Sequence, residues 1–434
     1  MNQRPIDDLI RDWTDIGDEH LPDRYLRAAL AEVETTPQIG AWRAPLEGLI
    51  VRFQSAAPYL AVAAAVIVAV VVYVALVAPP VGDDESSPDP SASPTAEPAA
   101  RSVETSTVRL AATPTGLVAT NEAIYASAGS QIVRIDPQTG ETTVVVDVPE
   151  AGTSCPDCGS GPEYAFAIGE GSIWVAYHFE VQSLVRRFSV ETGTLQAEIL
   201  VGAPQGGGAG ASDVTAAFGS VWTAQCHSGT VARIDPESNE QTELIQVASG
   251  AFCGSQFAIA ADDRNIWVSM FTDDGVAQRG SIFKLDPAMN SVLGSVAIDG
   301  SATPCGRFAI EAGSGVWINS CPASEDSSLV HVERGEPGEA PGPATLVRLT
   351  GYLGDPAAID GLIWIPRVSA RPSGPAVLLA VDPVSGRSVD SIQLGTATPV
   401  VARSAAPMVV AFDAVWVGGD RSSLLRIPMA ELNP

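Results

Sequence analysis

Residues 221–239 read Val-Trp-Thr-Ala-Gln-Cys-His-Ser-Gly-Thr-Val-Ala-Arg-Ile-Asp-Pro-Glu-Ser-Asn, and the phrase recurs along the chain. Its aromatic dipeptide returns as Ile173-Trp174, Ile266-Trp267, Val316-Trp317, Ile363-Trp364 and Val415-Trp416, with Ile124-Tyr125 as a seventh copy. The steps between aromatics are 49, 48, 45, 50, 47 and 52 residues. A fixed period of this size marks a propeller, a solenoid or an array.

Each copy holds four short apolar runs. One precedes the aromatic, as in Phe257-Ala258-Ile259-Ala260, and the aromatic dipeptide sits in the second. The third reads Ile132-Val133-Arg134-Ile135, Val231-Ala232-Arg233-Ile234 or Ile282-Phe283-Lys284-Leu285, and a fourth closes the unit, as in residues 292–298. Runs this short, rich in β-branched residues and bounded by Gly, Pro and Asp, read as strands. The turn after the third run is Asp136-Pro137-Gln138-Thr139-Gly140, Asp235-Pro236-Glu237-Ser238-Asn239, Asp286-Pro287-Ala288-Met289-Asn290 or Asp382-Pro383-Val384-Ser385-Gly386, with Val190-Glu191-Thr192-Gly193 a relative. Asp and Pro suit the first two positions of a type I turn, and Gly or Asn accepts the left-handed geometry at its end. Four antiparallel strands repeated seven times make an all-β, seven-bladed β-propeller over residues 105–434. Separate β-sandwiches would not require a repeated phrase. The last copy ends soon after Leu424-Leu425-Arg426-Ile427, so residues 107–111 are expected to supply its missing outer strand and close the ring.

Upstream, the chain changes character. No charged side chain occurs from Phe53 to Gly82, and residues 59–78 are 20 consecutive Ala, Val, Ile, Leu and Tyr. At about 1.5 Å per residue such a run spans a hydrocarbon core of roughly 30 Å. The expectation is a transmembrane helix over residues 56–78 rather than a cleaved signal, because the run is long and begins far into the chain. Arg43 and Arg52 precede it and Asp83, Asp84 and Glu85 follow. That places the N-terminus in the cytoplasm and the propeller outside, with the protein single-pass in the plasma membrane. Residues 79–104, rich in Pro, Ser and Ala, read as a disordered linker. Residues 1–52 carry helical stripes, Ile6-Leu9-Ile10-Trp13 and Tyr25-Leu26-Ala29-Leu30-Val33. They read as a small cytoplasmic helical segment that either binds a cytoplasmic protein partner or only sets topology.

The formal charge is −27 and Lys284 is the one lysine. Nucleic acid is therefore excluded as a partner, since its phosphates need a basic surface. All six cysteines lie in the propeller. An even count in an exported region favours disulfides, with the expected pairs Cys226–Cys253, Cys305–Cys321 and Cys155–Cys158. The Cys155-Pro156-Asp157-Cys158 stretch also has the spacing of a redox or metal pair.

Candidate ligand contacts come from the connections between second and third strands. These are His178 in blade 2, His227 in blade 3, Asp273 and Arg279 in blade 4, His331 in a long blade 5 insertion over residues 320–344, Arg367 in blade 6 and Arg421 in blade 7. No catalytic triad, phosphate loop or metal-spacing cluster stands out, and no cofactor or metal is expected. Gly206-Gly207-Gly208 has no helix after it and reads as a loop.

Through phrases such as Val231-Ala232-Arg233-Ile234-Asp235-Pro236, the ring resembles bacterial extracytoplasmic propellers of the YVTN/YncE-like type. Through dipeptides such as Ile173-Trp174 it is similar to the virginiamycin B lyase family. The second resemblance implies a histidine with acidic and metal-binding neighbours, for which His227 is the nearest candidate. The N-terminal segment is similar to those of anti-sigma factors, but has His20 without the two cysteines of their zinc motif. The functional expectation is a membrane-anchored ligand- or protein-binding sensor. The alternatives are a lyase or hydrolase using loop-face histidines and carboxylates, and an anti-sigma-like transmembrane regulator.

Overall fold

The computed structural model describes residues 97–434, apart from 149–163, 178–182, 203–210, 226–227, 250–257, 274–277, 299–302, 312–313, 322–325, 369–375, 395–405, 420–421 and 433–434. The expected head, transmembrane helix and first part of the linker lie outside these residues. Among the described residues no helix is long and apolar enough to cross a membrane.

Seven antiparallel sheets form the ring. Blade 3 shows the pattern: Ala211–Ala217, Ser220–Gln225, Thr230–Asp235 and Glu240–Gln246 pair in chain order. The other blades occupy residues 114–147, 164–201, 259–297, 303–350, 352–393 and 408–428. Ser106–Arg109 pairs with Ser423–Pro428 as the outermost strand of blade 7, closing the ring from the N-terminal side as expected. In blade 6 the first strand is broken into Tyr352–Leu353 and Ala357–Ile359, both paired with Leu362–Val368.

The recurrent aromatics lie between sheets. Trp222 packs with Ile259, Ile266 and Val268 of blade 4; Trp267 with Val316, Ile318 and Val330 of blade 5; Trp416 with Leu117, Ile124 and Ala126 of blade 1. Each of the seven clusters joins one blade to the next and contains the first blade's Trp or Tyr. The six tryptophans are at most 1% exposed, and burying so large a ring is worth roughly 2–3 kcal/mol. Each indole N–H still needs an acceptor. Trp174, Trp222 and Trp416 donate to the carbonyls of Gly169, Ala217 and Ala411; Trp267 and Trp317 donate to the carboxylates of Asp262 and Glu311.

A second repeated feature rests on these rings. Directly opposite each aromatic, on the third strand, stands Arg134, Arg187, Arg233, Lys284, His331, Ala380 or Arg426. The guanidinium of Arg233 lies 4.9 Å from the Trp222 ring centre, and that of Arg187 lies 5.0 Å from Trp174. Each then reaches the next blade. Arg233 donates to Pro287 O and Asn290 Oδ1 at 3.0 and 2.8 Å, and Arg187 to Pro236 O and Asn239 Oδ1. Asn239 and Asn290 have φ of 59° and 51°. The turn asparagine thus meets two demands at once, a left-handed backbone and a side-chain acceptor. At the head of the same turns Asp136, Asp235, Asp286 and Asp382 accept from the next backbone N–H groups, as Asp286 does from Ala288 and Met289 at 2.8 and 3.1 Å.

Lys284 makes the corresponding clasp to blade 5, where no Asp-Pro turn exists. Its amine is buried and donates to the carbonyls of Arg334, Glu336 and Glu339 at 2.7, 3.2 and 3.1 Å. Burial pushes this amine below the ordinary lysine range. Arg334 is anchored in turn on Asp262 and Asp263. This corrects the expected blade 5 insertion. Asp326–Glu333 is the third strand of that blade, so the extra length, residues 334–343, joins the third and fourth strands. It lies on the ring face opposite the one expected.

The end of the expected linker is also part of the folded unit. The backbone of Arg101 bridges to Ser391 and Gln393, its guanidinium pairs with Asp390 at 2.7 Å, and Glu97 pairs with Arg367. Among the cysteines, Cys155, Cys158, Cys226 and Cys253 lie outside the described residues. Cys305 stands opposite Asn319, and Cys321 opposite Thr303. They are diagonal neighbours in the register. The side chains of Cys305 and Cys321 lie outside the described ones, so the expected Cys305–Cys321 pair stays an expectation.

The clasp can be measured. Arg233→Met is expected to destabilise the chain by about 2 kcal/mol in urea unfolding, through lost charge-assisted hydrogen bonds and ring contact. A double-mutant cycle with Asn290→Gly should give a coupling of roughly 1 kcal/mol. Strictly additive effects would show that Arg233 does not hold blade 4.

Candidate functional site

The strand order sorts the connections onto two faces. One face carries the first-to-second strand turns and the Asp-Pro turns, most of them two to six residues and alike from blade to blade. The other carries the second-to-third strand connections and the crossings to the next blade, which include residues 148–163, 202–210, 247–258 and 394–407. These differ in length and composition. Because ligands meet loops that vary on a rigid scaffold, this second face is the candidate surface.

The structure places the expected residues unevenly. His178, His227 and Arg421 lie outside the described residues. Asp273 and Gln278 close the hairpin of blade 4, with Arg279 opposite Thr272 one step inside, so Asp273 and Arg279 share a hairpin tip on the candidate face. Arg367 stands at the corresponding end of the second strand of blade 6, and its guanidinium is held by both carboxylate oxygens of Glu97. His331 is not on this face. It occupies the third-strand position opposite Trp317 and stacks on that ring, with centroids 4.3 Å apart and planes at 23°. Burial pushes its imidazole below the usual histidine range. Among the described residues no three His, Cys, Asp or Glu are grouped so that they could hold a metal ion.

Behind the candidate face lies a charge cluster that sequence reading missed. Counting two residues back from each aromatic's first-strand partner gives Gly116, Ala165, Asp213, Ala258, Arg307, Asp355 and Pro407. Four of the seven are small or proline and three are charged. Arg307, from blade 5, crosses the ring: Nη1 donates to Leu117 O of blade 1 at 3.1 Å and Nη2 to Phe166 O of blade 2 at 3.4 Å. A Cβ on Gly116 would sit 3.3 Å from that Nη2, so the glycine leaves room for the guanidinium.

The two acids staple neighbouring inner strands. Asp213 accepts from Val214 N at 2.9 Å and from Ile259 N of blade 4 at 3.0 Å; Asp355 accepts from Arg307 N of blade 5 at 2.9 Å and from the backbone of Met408 of blade 7. Innermost strands are sheet edges whose outward N–H and C=O groups need partners, and these three side chains supply them. Asp213 and Asp355 are only 6% and 5% exposed. Burial pushes both carboxyls upward, Asp355 to about 6, against the opposing pull of Arg307. The signal was present in the sequence as charge in a column of otherwise small residues, but its meaning depends on the ring being closed.

No protein-family model and no curated protein matches the chain. Among solved structures it is similar to the hydrazine synthase of Kuenenia stuttgartiensis, at 14% identity and TM-score 0.48, over 71% of this chain and 94% of that one. It is similar to a chain of the mitotic checkpoint complex at 10% identity and TM-score 0.51, over 77% and 96%. It is also similar to the Dos1 propeller at 12% identity and TM-score 0.48, over 73% and 79%. The likeness is one of fold. It says nothing about chemistry.

Arg307→Met would leave the Leu117 and Phe166 carbonyls without their guanidinium donor and remove a positive charge that opposes the burial of Asp213 and Asp355. The expected loss is roughly 3–5 kcal/mol in urea unfolding. A loss below about 1 kcal/mol, the scale of an exposed ion pair, would show that the cross-ring contacts do not hold the blades.

Proposed function

We propose that the chain is a membrane-anchored, extracytoplasmic binding module whose ligand- or protein-contacting surface is the face of variable connections. The observation that carries this reading is the asymmetry of the ring. One face is built from short turns locked by Asp, Pro, Asn and cation clasps, while the other joins rigid strand ends through dissimilar segments bearing Asp273, Arg279 and Arg367. Such a scaffold holds contact groups in place without ordering them on binding, which favours affinity. The acidic chain and its uncharged run of 20 residues at 59–78 support attachment by a single span, with the propeller outside. On this reading residues 1–52 are the cytoplasmic side of a sensor. His178, His227 and Arg421 belong to the same surface through their place in its connections, and the YVTN/YncE-like resemblance supports an extracytoplasmic role.

Two experiments bear on this. The full chain in detergent, screened against cell-wall fragments, peptides and metabolites, should bind at least one. That binding should fall at least tenfold, about 1.4 kcal/mol, in Arg279→Glu or Arg367→Glu with the melting temperature retained. Binding that survives charge reversal at both positions, or no binding at all, defeats the assigned face. In intact cells, external protease should remove the propeller while a tag on residue 1 stays protected and membrane-bound. A soluble or externally cleaved tag overturns the topology.

A further inference from the structure

Arg367 enters the candidate face as a fixed fork. Its strand pairs in register with Leu353 on one side and Val377 on the other, and its side chain is only 11% exposed. Nη1 donates to Glu97 Oε2 and Nη2 to Glu97 Oε1, the two-point geometry by which a guanidinium selects a carboxylate. The acid comes from outside the blades. It precedes the closing strand Ser106–Arg109, and its side chain is 37% exposed. Among the described residues no other hydrogen bond or ion pair joins residues 97–100 to the ring, and Ala99 and Ala100 are exposed. The next residue is the opposite case. Arg101 is held by backbone bonds to Ser391 and Gln393, by both oxygens of Asp390 and by Glu431 O. The segment is therefore an arm anchored at Arg101 and latched at Glu97, with Pro98, Ala99 and Ala100 between. The latch is also incomplete, since the buried Nε of Arg367 has no acceptor among the described residues.

We propose that Arg367 is a carboxylate-recognition point of the candidate face and that Glu97 is its internal competitor, holding in the unbound chain the place that a ligand's carboxylate takes. This rests on the reading of that face as the contact surface. A purely structural tie gains most when both partners are buried and the chain around them is fixed. Here the cation is buried and aimed, while the acid is exposed and carried by an arm with no second hold. Tethering sets the strength of the competition. The four residue steps from Arg101 back to Glu97 span at most about 14 Å, and so short a tether gives an effective concentration in the millimolar range. A lone carboxylate well below that concentration leaves Glu97 in place. A ligand displaces it by adding a second contact on the same face, so the latch screens out ordinary anions. Release frees residues 97–100, while Arg101 keeps the arm on blade 6.

The test uses the full chain in detergent and two probes, glutarate and the free peptide Pro94-Thr95-Ala96-Glu97-Pro98-Ala99-Ala100. Each is titrated to about 10 mM, past the effective concentration of the tethered acid, and binding is read by saturation-transfer NMR. The proteins are wild type, Glu97→Gln, and Glu97→Gln combined with Arg367→Lys. Glu97 is exposed, so its substitution leaves the fold in place, which an unchanged melting temperature verifies. Glu97→Gln should bind a probe about fivefold or more tightly than wild type, the factor that a surface ion pair supplies. Lysine at 367 keeps the charge but loses the fork, and should remove most of that gain. The peptide with Gln in place of its Glu should not bind. Preference for the acidic peptide assigns the site to polypeptide carboxylates, and preference for glutarate assigns it to small acids. Equal affinity in wild type and Glu97→Gln, no binding to either, or undiminished binding of the Gln peptide overturns the proposal. The contact-surface reading fails separately, through a ligand screen that yields nothing, an outcome that leaves the peptide titration unchanged.

Discussion

The ring depends on the aromatic side chain that the second strand of each blade buries against the next sheet; in blades 2, 3, 4 and 7 a cation directly opposite it on the third strand lies over that ring. The aromatic fills the wedge between two sheets, and the cation lies on its face while its donors extend to the next blade. Either part alone would hold less. Apolar burial is strong but non-directional, so it permits two blades to slide. Hydrogen bonds from the guanidinium to a turn carbonyl and a turn asparagine set their register. The site also explains its own variations. Lysine replaces arginine where the next blade offers three converging carbonyls, which suit an ammonium better than a planar fork. Histidine replaces both in blade 5, where the ring stacks flat on Trp317.

At the centre, seven inner strands converge as sheet edges. Their unpaired backbone groups are met by side chains from one column of the repeat, where blades 3, 5 and 6 have departed from small residues. Arg307 ties opposite sides of the ring, and Asp213 and Asp355 tie adjacent ones. The two faces differ in kind, because short turns constrained by Asp, Pro and left-handed residues leave little freedom, whereas the crossings between blades are free to vary.

The segment leading into the ring is bound to it as well. Arg101 joins the outer strand of blade 6 and reaches the carbonyl of Glu431, and Glu97 neutralises Arg367. The polypeptide therefore meets the ring beside the closing strand. One of the arginines on the candidate face already has an internal carboxylate partner, which an acidic ligand would have to replace.

Much of this was legible in the residues. The aromatic period, the alternating runs and the Asp-Pro turns determined the blade count, the strand order and the closing strand, because local periodicity and turn chemistry act over a few residues and repeat without reference to the rest of the chain. Even the signal for the blade 5 insertion was there, as the missing Asp-Pro turn after Val330-His331-Val332, although its placement was misread. Only the tertiary structure decided what Arg233, Asn290, Lys284, His331 and Arg307 do. Their partners are contributed by other blades, some across the whole ring, and a charge in a sequence does not show which carbonyl or ring will lie beside it. Burial then changes the meaning of the charge itself. Asp355 reads as one more acid in an acidic chain, and only where the sheets close around it does burial push its carboxyl upward.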